Sequence, residues 1–219
     1  CALRCIADYP SNDVRRFYML NRGKNHADYR GALKHYTAPA QNFVFASKDN
    51  DIAITPNGYF PLKWKNQGKF ILDGSNPANE WHGRIPAEHN PTVKNPPRSF
   101  VSSANQSSTD PSYPYYINWE FSATERGRRI NQRLSTMSKA TVDSMRALQN
   151  DNYSLLAQDL LPSILTAVNV DRLNASERES YEILKKWNKY YNAEEIGASI
   201  FEIWQKQLMS TTIRFIKPH

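Results

Sequence analysis

A chain of 219 residues with 40% hydrophobic and 12% aromatic side chains can bury a real core, which excludes a disordered tail and leaves one large domain or two small ones. No apolar run approaches the roughly 20 residues needed to span a bilayer, so no membrane partner is expected. The net charge of +7 comes from scattered Lys and Arg with no recognition motif beside them, so no nucleic-acid partner is expected either.

The chain opens on CALRCIA (1–7), which reads as the middle of a strand and suggests a piece of a longer protein. Cys1 and Cys5 would share a face on a helix. In extended chain they sit too far apart for easy bridging, and they form no metal motif. Residues 13–36 read as helix, capped by Ser11 or Asn12 with Asp13 beside the N-terminus. Val14, Phe17, Tyr18, Tyr29, Leu33 and Tyr36 keep an approximate helical period, and Gly23 marks a break into two helices. Residues 42–55 (NFVFASKDNDIAIT) read as a hairpin whose turn is Lys48-Asp49-Asn50-Asp51. Phe43, Val44 and Phe45 are consecutive and apolar, which predicts a strand buried on both faces. Residues 56–99 are rich in proline and loops, with short apolar pieces such as Phe70-Ile71-Leu72. So long an irregular stretch is usually functional.

The second half reads as helix: 125–134, 138–150, 153–168 with Pro162 near its end, 176–188, and 198–213. Ser176-Glu-Arg-Glu is read as the capping box of the fourth of these. Ile200, Ile203, Trp204, Leu208 and Met209 are expected to face inward from the last. A β-rich, loop-rich first half followed by a helical second half gives the α+β class.

Few motifs carry chemistry on their own. His26, His35, His82, His89 and His219 do not pair at metal-ligand spacing. No G-x-S-x-G, P-loop or H-E-x-x-H occurs. The tightest basic group is Arg126, Arg128, Arg129 and Arg133. The stretch FVSSANQ (100–106) starts like a strand and turns small and polar. It reads either as a polar turn that satisfies loop backbone or as an oxyanion site, where a fixed amide donor contributes about 10²- to 10³-fold in rate. Composition alone favours the turn.

Several segments, in order, resemble the penicillin acylase family of N-terminal-nucleophile (Ntn) amidohydrolases. NFVFASKDNDIAITPNGYFP resembles its strand pair followed by Gly-aromatic-Pro. EWHGRIPAEHNPTVKNPPRSFVSSANQ resembles its most specific run, Trp-x-Gly-x-x-Pro-x-Glu, then Asn-Pro, then an aromatic-led strand ending in Ala-Asn. YPYYI, ERGRRINQRL and ALQNDNYSLLAQDLLPSIL resemble the segments that follow. The match runs from about residue 2 to at least 210.

The resemblance implies part of an αββα sandwich with a mostly helical C-terminal half. Residues 1–122 would be the β-rich and loop-rich part of the Ntn core, and 123–219 the helical part of the same domain. It implies an internal fragment of a β subunit whose partners are the remainder of the precursor, the α subunit and the N-terminal part of the β subunit. The substrate implied is a small N-acyl compound. Its amide would be attacked by an N-terminal Ser lying outside this chain, in a periplasmic or secreted parent. Cys1 does not match that nucleophile. The family's oxyanion Asn matches Asn105, and its active-site Arg matches Arg126. No cofactor is implied. The family's calcium ligand after Tyr-Pro is replaced here by Tyr115, Tyr116 and Ile117, so no metal site is expected through this segment. Ser103 and Ala104 stand where the penicillin G type has bulkier residues, so penicillin is not fixed as the substrate. The alternative is a non-catalytic ligand- or partner-binding domain on the same scaffold, with the aromatic loop 113–119 as its contact surface.

Overall fold

The computed structural model describes residues 2–216; Cys1 and His219, weighed above, lie outside the described residues. The chain folds as two compact units, Cys1–Gly127 and Arg128–His219.

In the first unit, residues 2–5 form no strand and Ile6–Asp8 make a 3-10 turn, so the mid-strand reading of the opening does not hold. Helices α1 (Asp13–Arg22) and α2 (His26–Leu33) flank the predicted break at Gly23. Asn12 occupies the N-cap of α1 without a side-chain bond, whereas Asn25 caps α2 by accepting from the Asp28 N–H at 2.9 Å. The apolar period of α1 marks the helix but not its buried face. Val14, Phe17 and Tyr18 are exposed, and Arg16 is the buried residue. Its guanidinium lies over the rings of Phe17, Tyr36 and Phe43, which favour a planar delocalised cation over a lysine.

Strand β1 (Gln41–Ala46) pairs antiparallel with β2 (Ile52–Asn57), which pairs with the short β3 (Val93–Lys94), in the order β1-β2-β3. The tight turn between β1 and β2 uses Asn50 at φ 62°, a conformation asparagine tolerates well. One face of the hairpin packs on α2. The Tyr29 ring meets Phe45 at 5.1 Å, and its hydroxyl donates to the Phe43 carbonyl at 2.8 Å. The expectation that β1 is buried on both faces is corrected: Val44 is 64% exposed. The double burial falls on β2, where Ala53, Ile54 and Thr55 are buried, because β2 is the central strand and β1 an edge.

The proline-rich stretch is ordered by polar side chains. Asn90 donates to the Asn57 side chain at 2.8 Å, and Asn57 to the Leu33 carbonyl at 2.9 Å. Buried Gln67 accepts from the Trp64 N–H and donates to the Asn79 carbonyl. The apolar piece at 70–72 is not core: Phe70 and Ile71 are exposed.

Helix α3 (Glu125–Ser135) begins at the end of the first unit and continues into the second. The second unit goes on with α4 (Val142–Gln149), α5 (Leu155–Ala167), α6 (Ala175–Lys186) and α7 (Ile196–Ile216). The capping box of α6 is Asn174 with Glu177, two residues before the predicted one, since an Asn caps as well as a Ser. The buried stripe of α7 is displaced only in part, since Ile200 and Trp204 pack inward as expected. Ala198 and Phe201 enter a core with Ala157, Leu161, Leu184 and Trp187, while Ile203, Leu208 and Met209 are exposed. Gly197 sets that geometry: a Cβ there would lie 2.5 Å from Trp187 Cγ, so only glycine lets the start of α7 approach the indole. The α+β class holds.

Candidate functional site

Residues 100–103 form no strand, contrary to the reading of FVSSANQ, and the segment is held instead by side chains. Gln106 accepts the Ala104 N–H at 2.6 Å, and Ser103 accepts from the Asn42 amide at 2.7 Å. The Asn105 carbonyl accepts the Ser122 N–H at 3.0 Å. Gly127 is buried against Gln106 and Ala104. These bonds fix a tight corner in which Asn105 stands at φ 64°, the left-handed region that asparagine enters at little cost.

Arg126, 21 residues further on, closes the corner. One guanidinium nitrogen donates to Asn105 Oδ1 at 2.8 Å and to the Ala104 carbonyl at 3.1 Å. A guanidinium has only donors, so the amide must turn its oxygen to Arg126. The Asn105 NH₂ is thereby left facing away, with no acceptor among the described residues. The two residues singled out in the sequence are thus in direct contact. Both are exposed among the described residues, so these residues alone do not exclude water from the corner.

Asn105 borders a cleft of about 500 Å³. Its walls combine amides, including Asn42, with the apolar Phe60, Ile117 and Phe121, and one cation, Lys63. Burial pushes the Lys63 ammonium below the usual lysine range. Sequence reasoning passed over Lys63 and Asn42. The signal available for Lys63 was a charge set between Leu62 and Trp64, two residues past the Pro61 that ends the strand-pair motif.

The other candidates are accounted for by packing. The Tyr115 hydroxyl and His89 Nδ1 share a hydrogen bond of 2.7 Å, and Tyr113 donates to the His89 carbonyl. Glu88 pairs with Lys34, whose ammonium is the main cause holding the carboxyl below its usual range. After Tyr113-Pro114 the side chains are two phenols and an isoleucine, none of them a carboxylate. No group of three or more His, Cys, Asp or Glu placed to hold a metal occurs among the described residues. Of the basic cluster, Arg128 pairs with Asp159, and Arg129 and Arg133 both pair with Asp151. No helix is long and apolar enough to cross a membrane among the described residues.

The family model for penicillin amidase matches residues 1–216. The chain belongs to the penicillin amidase family. Within that family it is similar to the acyl-homoserine lactone acylase QuiP of Pseudomonas putida, with 26% identity over 204 residues covering 88% of this chain and 25% of that protein. It is similar to the penicillin acylase 2 proenzyme of Pseudomonas sp., with 26% identity over 205 residues covering 93% of this chain and 25% of that protein. The chain therefore spans about a quarter of the length of these curated relatives. Among solved structures, the thermostable penicillin G acylase from Alcaligenes faecalis matches 83% of this chain and 34% of its own at a TM-score of 0.62 and 15% identity, a likeness of fold. The chain thus shares its α+β fold with that penicillin G acylase.

Proposed function

We propose that this chain supplies the oxyanion corner of an amide hydrolase of the penicillin acylase type. The nucleophile is an N-terminal Ser contributed by sequence outside this chain, and its own α-amino group is the base. The Ser oxygen attacks the carbonyl carbon of an N-acyl amide while its proton passes to the α-amine. The C–N bond then breaks, the leaving amine takes that proton, and water hydrolyses the acyl ester. Asn105 donates its NH₂ to the negative oxygen of the tetrahedral intermediate. Arg126 is a positioning residue that holds the amide by its oxygen. The chemistry needs no cofactor or metal. The partners are the rest of the precursor and a small N-acyl substrate, in the class of the acyl-homoserine lactones and penicillins for which relatives are named. A periplasmic or secreted location fits such a precursor.

The observation that carries this reading is the amide of Asn105, turned by Arg126 so that its two N–H donors are unoccupied. In the full-length protein, Asn105→Ala is expected to lower kcat by about 10²- to 10³-fold with an unchanged circular dichroism spectrum. Asn105→Gly removes the same donor and keeps the left-handed backbone without strain, so it should give the same loss. Near-normal turnover in both variants sinks the assignment and favours a non-catalytic binding role for the scaffold.

A further inference from the structure

The cleft beside Asn105 has an unusual charge balance. Among the described residues that line it, Lys63 is the only charged side chain, and the carboxylate of Glu120 lies in the adjoining opening beyond Asn118 and Phe121 rather than in its wall. Lys63 is half-buried and makes no ion pair among the described residues. Its ammonium lies 5.7 Å from the centre of the Tyr116 ring, at the outer limit of a cation–π interaction. Burial disfavours its charge, and no carboxylate among the described residues that line the cleft offsets it. A cation left in that state, in the wall of a ligand-sized cleft, is matched by an anion that comes with the ligand. The surrounding wall narrows the anion's chemistry. Phe60, Ile117 and Phe121 suit a short hydrocarbon arm, and Asn42 and Asn118 supply neutral polar contacts. One ammonium without an arginine fork suits a carboxylate held by a point charge.

We propose that Lys63 selects substrates that carry a carboxylate, pairing with it while the scissile amide lies at Asn105. This rests on the amide-hydrolase reading above. The carboxylate can belong to the acyl arm or to the amine, and the test separates the two. The full-length protein is assayed with two matched pairs. Glutaryl anilide against pentanoyl anilide places the charge on the acyl side. Phenylacetyl-glycine against phenylacetyl-glycinamide places it on the amine side. Lys63→Met, close in volume, is expected to raise KM for the charged member about tenfold relative to its uncharged mate in one pair, with kcat less affected. Lys63→Arg should restore most of the preference. The responding pair names the side of the bond. A ratio unchanged in both pairs overturns the proposal.

If no amide is cleaved at all, the hydrolase reading fails, and binding decides this inference separately. Calorimetry with glutarate and its uncharged diamide should then show glutarate bound about tenfold more weakly by Lys63→Met than by the unaltered protein, with no such loss for the diamide. Equal glutarate affinity in the two proteins, or none in either, refutes the role of Lys63.

Discussion

At the scale of residues, Asn105 and Arg126 form one device. The guanidinium orients the amide, and the amide does the chemistry in the proposed reaction. If Arg126 acts only through Asn105, the two effects cannot add. Arg126→Leu alone should lower kcat by about 10- to 100-fold, the range of a lost charged hydrogen bond. In an Asn105→Gly background the same change should lower it little further. Full additivity in that double-mutant cycle would show that Arg126 touches substrate on its own account. Both residues could be picked out by their place in family-like motifs. Their contact could not, because no period links positions 21 apart across an irregular loop. Lys63 was passed over for a related reason: no helix or strand pattern assigns its neighbours a face.

At the scale of elements, boundaries were read better than faces. The break at Gly23, the hairpin and the helices at 125 and 155 fall close to their expected positions. The misplaced parts share a cause. Val44 and Ile203 are apolar at positions the pattern sends inward, yet they are exposed among the described residues. A hydrophobic period reports that a residue can be buried, not which neighbour arrives to bury it. Charged pairs set geometry in the second unit. Burial alone would raise the Asp151 carboxyl, but Arg129, the Tyr153 N–H and Arg133 together outweigh it and hold the group below its usual range. The folded carboxyl loses its proton more readily than the unfolded one. The contribution is therefore complete above the ordinary carboxylate range and is lost as pH falls through the depressed folded value. Asp151→Asn is expected to cost about 2–3 kcal/mol at neutral pH. Urea unfolding followed by circular dichroism should show that deficit shrinking towards pH 2. A deficit independent of pH would mean that shape, not charge, is what the pair supplies.

At the scale of the whole molecule, the corner at Asn105 is open among the described residues, whereas an oxyanion donor contributes most where water is excluded. In the proposed enzyme the rest of the precursor covers it and brings the nucleophile. The 219-residue chain alone is accordingly expected to cleave neither pair of amides above. Turnover by the purified chain, abolished by Asn105→Gly, would relocate the nucleophile to this sequence. The α+β class was legible because strand and helix patterns occupy separate halves of the chain. How much solvent the site admits was not, since exposure depends on every surface that meets it and not on the local pattern.

The neck formed by Ser122 donating to Asn105, with Arg126 just behind, has a further consequence. It pinches off residues 106–121 as a loop anchored at its base, and that loop brings Ser108, Ile117, Asn118 and Phe121 to the cleft. Lengthening a loop between fixed ends costs little, about 0.6 kcal/mol for each doubling. On the proposed reading, the fold separates a fixed corner, which would stabilise charge, from an editable loop, which would shape what enters. Loop grafts within 107–121 are the natural place to retune the substrate accepted by the proposed enzyme while leaving the reacting corner where it stands.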